Sequence, residues 1–427
     1  MENILIFSDL CDFKNRTIYH YSLVKAFNVA MSLSKKINTY YATNGKTEIY
    51  NGVNLINKNE ISDDFINKIN YILIGREPIL KDIIDQIPSF KNILIKDDRK
   101  QIIGIKSDSA IWVRAYNKIS KELKKDMFMF DFALKYIDLI YVQTETYKER
   151  EKSTVFIKKN KNILDKVRIS PMGVPNEIPK IINENPYDIN HSYCVSDFNS
   201  LKSGKALFPL CYTRKNRDYL KYGNKFDDFN QKKTILIYTG RLKMDDGKIL
   251  YLMRDIMKEL GILYELHIFP GRFCLPDCPV KVFSPKFGYN LQILRDSIFF
   301  QNNNVIIHYP YDHRDKNAFL QYADIGIDFS QSRPENILSS MGNAKLLEYC
   351  YFGLKVVAEK NINNSHLIEQ GKNGILLKNI ASVNDYVKEI KKANKMKINK
   401  NFTINKNIEN NNWDKISMNI LNDFRNI

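Results

Sequence analysis

The chain has 427 residues, 44% of them hydrophobic, and a net charge of +17. That length exceeds one ordinary core, so two domains are expected. No apolar run is long enough to span a bilayer, and the N-terminus lacks a signal-peptide pattern, which predicts a cytoplasmic protein. A strongly basic chain can track phosphate backbones or an anionic membrane. Here Lys and Arg are spread through a chain rich in Asn, Ile and Lys, with no basic block and no basic–aromatic motif. No nucleic-acid partner is therefore expected, and weak peripheral attraction to the inner face of an anionic membrane is a secondary expectation. The six cysteines are scattered, which fits reduced thiols better than a disulfide framework. Cys274 and Cys278 lie close together, but no second pair stands at zinc spacing, so no metal site is expected.

In chain order, Asn3–Leu10 reads as a first strand. A helix follows from about Tyr21 to Lys35, with Leu23, Ala26, Phe27, Ala30 and Leu33 near one face, and Ile37–Ala42 reads as a second strand. This strand–helix–strand opening is Rossmann-like. Short strands are expected at Tyr71–Gly75, Lys91–Ile95 and Ala110–Val113. Ligands of open parallel sheets bind beyond the carboxyl ends of strands, which makes Arg114 and Asn117 candidates for an acceptor or phosphate contact. A plain surface arginine weighs equally. Asp138–Thr144 reads as a strand running into a helix start, and Lys166–Pro175 closes the first half. From Asn176 to Lys232 periodicity is poor, and a long linker or insertion is expected.

Lys233–Tyr238 is an apolar strand, followed by Thr239-Gly240-Arg241-Leu242. The spacing predicts a helix over Ile249–Leu260, a strand over Tyr264–Phe269 ending at Pro270-Gly271, and strands at Val305–His308 and Ile325–Phe329. His308 and His313 read as packing or surface residues. In Lys345–Ala358 a helix runs into a buried strand. Leu346, Leu347 and Tyr351 share an apolar face, Gly353 stops the helix by taking the left-handed conformation, and Val356–Ala358 form the strand. Ser339, Ser340, Gly342 and Asn343 precede this helix, and helix N-termini after small-residue loops hold phosphate. Glu348 stands one turn in, within reach of ribose hydroxyls; a solvated helix carboxylate is the plainer reading. Near the end, Trp413, Ile416, Ile420, Leu421 and Phe424 form a buried helical stripe.

The pattern Lys-Leu-x-Glu-Tyr-x-x-x-Gly-x-x-Val-Val-Ala, together with the Gly240-Arg241 turn, resembles the donor site of retaining GT-B glycosyltransferases of the family 4 type. The resemblance implies an α/β fold of two Rossmann-like domains facing a cleft. The domains would be an acceptor-side domain over 1–180, a linker or insertion over 181–231, and a nucleotide-sugar domain over 232–405. A C-terminal helix over 406–427 would cross back to the first domain. It also implies a hexosyltransferase-type enzyme of class EC 2.4. Such an enzyme works without a metal or other cofactor, moving a sugar from a UDP- or GDP-type donor to a glycan, lipid-linked or protein acceptor with retention. By the same resemblance Arg241 and a lysine, Lys248 or Lys243, neutralise the diphosphate. Gly240, Gly271, Gly342, Asn343, Ala344 and Lys345 line the nucleotide, and Glu348 binds its ribose. The pattern's second glutamate is replaced here by Ser340, and Glu335 stands in for it as a catalytic candidate. The first loop, Cys11–Tyr19, lacks the family's glycine pair. Lys14, Arg16 or Thr17 would do that work, or the donor would sit differently. A catalytically degenerate GT-B domain that binds a sugar or a protein is the alternative, and a phosphorylase or epimerase on the same fold is a further one.

Overall fold

A computed structural model describes residues 2–8, 21–75, 80–96, 98–106, 136–142, 165–179, 192–194, 211–213, 233–240, 248–270, 304–308, 319–329, 344–360, 365, 367–378 and 381–427. They divide into two compact units. One holds the described residues up to Asn176 together with Glu409–Ile427, and the other holds those between Glu177 and Ile408. Among the described residues no helix is long and apolar enough to cross a membrane.

The first unit is built on an eight-stranded sheet. Its strands are β1 (Asn3–Phe7), β2 (Asn38–Thr43), β3 (Glu48–Tyr50), β4 (Val53–Asn57), β5 (Tyr71–Ile74), β6 (Ile102–Lys106), β7 (Leu139–Val142) and β8 (Val167–Ile169). They lie in the order β3-β4-β2-β1-β5-β6-β7-β8, all parallel except the β3–β4 hairpin. The chain thus reverses its direction of growth between β1 and β5. Strand residues alternate between two cores, as a sheet covered on both faces requires. Leu5, Phe7, Ile72, Ile74, Ile103 and Ile105 face α2 (Asp63–Ile66), α3 (Leu80–Gln86) and α4 (Pro88–Leu94). Ile4, Ile6, Leu73 and Tyr141 face α1 (Tyr21–Ser34) and the C-terminal helix, Trp413–Arg425. That helix buries Trp413, Ile416, Ile420, Leu421 and Phe424. Gly104 makes room for it, since a Cβ there would stand 3.0 Å from the Phe424 ring.

Two expectations change here. Lys91–Ile95 lies largely in helix α4, which Pro88 opens at its first turn, with Phe90, Ile93 and Leu94 buried at helical spacing. A short apolar run such as Ile93-Leu94-Ile95 suits either period, and the flanking Pro88 and Phe90 decide it. Strands β3, β4 and β6 form where the sequence predicts none. The expected strand at Ala110–Val113 lies outside the described residues.

The second unit also has an eight-stranded sheet. Within 176–232, where no elements are expected, two short strands form: β9 (Ser192–Cys194) and β10 (Cys211–Thr213). They extend the edge beside β13 (Val305–His308), next to β12 (Tyr264–Pro270), β11 (Thr234–Gly240), β14 (Ile325–Asp328), β15 (Lys355–Glu359) and β16 (Gly374–Leu377). Strands β11 to β16 are parallel, and the order again reverses, between β11 and β14. One face packs on α5 (Lys248–Leu260) and on the helix over Val383–Lys395, through Leu236, Tyr238, Met253, Ile256, Ile325, Ile327 and Tyr386. Helix α6 (Ala344–Tyr351) lies against the opposite face of β14. The Val383–Lys395 helix, α7, begins in a capping box of Ser382 with Asp385. Its carboxylate is held down to about 2 by the Ser382 hydroxyl and amide and by Lys378. Helix α8 (Lys400–Asn411) packs Ile404 against Gly353, and Trp413–Arg425 above is α9.

Candidate active site

In an open parallel sheet the crevice falls where strand order reverses, beyond the carboxyl ends. In the second unit that point lies between β11 and β14. Thr239 is the last residue but one of β11 and Asp328 ends β14, and α6 brings Lys345, Glu348 and Tyr349 to the same place.

Tyr349 anchors the arrangement. Its ring lies over Gly326, where a Cβ would stand 2.4 Å from Cδ2 of the tyrosine. Any side chain at position 326 would lift α6 away from β14. The buried Tyr349 hydroxyl then bridges the two strands. It accepts the Thr239 backbone N–H at 2.8 Å and donates to the Ile327 carbonyl at 3.4 Å. Burial raises this hydroxyl well above the ordinary tyrosine range, so it stays a neutral donor and acceptor.

One residue earlier on the helix, the half-buried Glu348 points to the end of β11, where the Thr239 hydroxyl donates to its Oε2 at 3.3 Å. Thr239 therefore holds both consecutive helix residues, one through its amide and the other through its hydroxyl.

Lys345 sits in the first turn of α6, where the helix dipole disfavours a cation. Its ammonium is neutralised by Asp328, donating to Oδ1 at 2.7 Å, and lies 5.2 Å from the centre of the Tyr238 ring. The Asp328 side chain is only 2% exposed and that of Lys345 16%, so the pair is nearly dry. The backbone carbonyl of Asp328 accepts the Tyr386 hydroxyl at 3.2 Å, which ties α7 to the same strand end. Burial, with Glu359 and Asp328 nearby, pushes that phenol well above its ordinary range. Burial and Asp328 do the same for Tyr238.

The far end of α6 is closed as firmly. Gly353 takes φ +67°, and the Asn407 amide donates to the Leu347 carbonyl at 2.9 Å. Cys350 is buried, and that burial pushes its thiol up to about 12, which leaves it an inert packing group.

Of the residues that the sequence nominates, Gly240 ends β11, Ala344 opens α6, and Lys345 and Glu348 stand together at the switch point. Lys248 is the first residue of α5. Arg241, Gly271, Glu335, Gly342 and Asn343 lie outside the described residues, as do Lys14, Arg16, Thr17, Arg114, Asn117 and Lys243. Sequence reasoning passed over Thr239, Gly326, Asp328 and Tyr349. A carboxylate closing the apolar run Ile325-Gly326-Ile327-Asp328 was the available signal for the lysine's partner.

No protein-family model matches the chain, and no curated protein does. Solved structures match over its whole length. HepE from Anabaena, in complex with UDP-glucose, aligns at a TM-score of 0.57 and 11% identity, covering 100% of both chains. Sucrose-phosphate synthase from Thermosynechococcus elongatus aligns at 0.58 and 11%, covering 100% of this chain and 99% of that one. A glycosyltransferase from Rickettsia africae aligns at 0.58 and 13%, covering 100% and 98%. These are GT-B proteins, and the chain has their fold: two Rossmann-like α/β units, each on a largely parallel sheet.

Proposed function

We propose that the chain is a glycosyltransferase that takes its sugar from a nucleoside diphosphate of the UDP or GDP type. The observation that carries this reading is Glu348, held at the switch point of the second sheet by Thr239 and by its neighbour Tyr349. A carboxylate there accepts hydrogen bonds from vicinal hydroxyls, as a ribose offers, and charge-assisted bonds of this kind are the strong ones. The shared fold supports the reading, since HepE is a UDP-glucose complex in the same architecture.

In this mechanism Arg241, with Lys248, neutralises the diphosphate as it departs. Fixed cations aimed at developing charge contribute most to such steps. The first-turn N–H groups of α6, beside Ala344, add to that field. Lys345 acts through Asp328: the neutral pair leaves those N–H groups as the local source of positive potential. Transfer proceeds with retention and without a metal, the leaving phosphate taking the proton of the incoming hydroxyl on the same face. Glu335 is the candidate for the contact to the transferred sugar. The acceptor is a glycan, a lipid-linked group or a protein, and the net charge of +17 suits work beside an anionic membrane surface.

Ser340, in place of the second glutamate of the resembled pattern, favours a second reading, a binding module without turnover. Calorimetric titration of UDP, GDP and ADP tests both. One nucleotide binding at micromolar concentration identifies the base. Release of sugar from its nucleotide-sugars then marks an enzyme, and binding without release marks a module. If none of the three nucleotides binds, both readings of the donor site are wrong.

A further inference from the structure

The lysines are spread through the sequence, but the second unit gathers several of them at the amino ends of its strands, opposite the crevice. A helix that joins two parallel strands runs antiparallel to them, so its last turn lies at that end. Helix α5 ends there and passes through Gly261, at φ +74°, into β12. The end of α7 lies there too, because Lys355, the first residue of β15, donates to the Asn394 carbonyl at 3.0 Å. Helix α8 starts beside it, with the Lys400 Cβ 3.1 Å from where a Gly353 Cβ would stand.

Two kinds of side chain meet at this end. The first is apolar and faces water. Ile262 and Leu263, in the turn from α5 to β12, are 75% and 54% exposed, and Gly261 before them has open space where a Cβ would stand. Tyr322 is partly exposed across the start of β11, where the Asp324 N–H donates to the Ile235 carbonyl at 2.9 Å. Phe402 is half-exposed in the first turn of α8. The second kind is cationic. Lys258, Lys392 and Lys395 stand in the last turns of α5 and α7, Lys397 lies in the connection, and Lys400 opens α8; all five are exposed. A helix C-terminus favours cations through its own dipole. That accounts for the first three lysines. It does not account for Lys397, which is outside a helix, or for Lys400, at a helix start where the dipole opposes it. Glu259 and Glu389 are the acidic residues of the same turns, and Glu389 pairs with Lys392 at 3.7 Å.

The geometry points to a docking face for an anionic lipid surface at this end of the second unit, with Ile262 and Leu263 entering the lipid and the lysines meeting headgroup phosphates. Charge and apolarity together select this occupant. A nucleic-acid backbone would pair with the lysines but offers nothing to two aliphatic side chains. A second copy of the chain, joined through the same face, would set lysines against lysines. The face uses no residue of the donor site, so it stands whether or not that site binds a nucleotide. Strand β11 has seven residues, which holds the crevice about 20 Å above a docked surface.

The test is flotation of the full chain with vesicles of phosphatidylcholine alone and of phosphatidylcholine with phosphatidylglycerol. Binding to the anionic vesicles alone is expected. Ile262→Ser with Leu263→Ser, which leaves the charge unchanged, should weaken it roughly tenfold. Lys395→Glu with Lys397→Glu should weaken it at least as much, whereas Lys68→Glu with Lys91→Glu, an exposed pair in the first unit, should change it less than about twofold. Exposed substitutions of this kind leave stability nearly unchanged, and a melting curve of each variant checks that. No binding of the wild type to anionic vesicles overturns the proposal. So does equal weakening by both lysine pairs, which would make the attraction one of net charge. Binding to poly-glutamate or poly-uridylate in place of vesicles, indifferent to the Ile262 and Leu263 changes, would overturn it in favour of an acidic protein or a nucleic acid.

Discussion

In both units the first parallel strand lies inside the sheet and the chain reverses its growth beside it, at β1–β5 in one and at β11–β14 in the other. The two crevices have been filled in different ways. At β11–β14 a tyrosine hydroxyl, a threonine and an ion pair satisfy one another, and one carboxylate is presented at the end. At β1–β5 the row of Ser8, Gly75 and Lys106 is closed by packing, since a Cβ at Gly75 would stand 2.9 Å from the Phe7 carbonyl and 3.1 Å from the Ala26 Cβ. The difference teaches that topology fixes where a site can be, while the residues at the strand ends fix what it can hold. A carboxylate acceptor at such a strand end suits sugar hydroxyls.

The comparison breaks most sharply at Asp328. Asp328→Asn leaves the Lys345 ammonium in a nearly dry place without its charge partner. Losing one member of a buried pair costs roughly 3–5 kcal/mol. Lys345 is 16% exposed, which puts the expected loss near the lower end of that range. Chemical denaturation of the full chain measures it, and a loss under about 1 kcal/mol would mean that the pair is solvated. Next comes Gly326→Ala. Its Cβ meets the Tyr349 ring at 2.4 Å, and overpacking of this kind costs about 1–3 kcal/mol. The same denaturation curve reads it, and an unchanged midpoint would show that α6 does not lie on β14 as described. Tyr349→Phe should have the smallest effect on stability. It leaves the Thr239 amide buried without its partner, a cost of about 1 kcal/mol. By freeing the end of β11 from α6 it should also weaken nucleotide binding several-fold. Unchanged binding would detach Tyr349 from the placement of Glu348.

Much of this was legible in the chain. The apolar runs that became β1, β11, β12, β14 and β15 are short, continuous and bounded by turn residues, as strands buried on both faces must be. Helix α6 and the left-handed Gly353 followed from spacing and from the missing Cβ, and Glu348 was found because it stands one turn into that helix. The partners were not legible. Thr239, Asp328 and Tyr349 meet Glu348 and Lys345 through contacts separated by 17 to 110 positions. No local period encodes which strand end faces which helix turn. Gly326 looks like any strand glycine until the tyrosine ring is placed over it. Lys91–Ile95 misled because four apolar or long side chains in five positions suit a strand as well as a helix. The register row of Ser8, Gly75 and Lys106 exists only once three strands are aligned.

The central claim is that Glu348 is the nucleotide-binding carboxylate of the second unit. Calorimetric titration of UDP into the wild type and into Glu348→Ala tests it most directly, with GDP as the parallel ligand. The account predicts micromolar binding of one of the two to the wild type and at least a tenfold loss in the variant, about 1.4 kcal/mol. A variant that binds the nucleotide as the wild type does would contradict it.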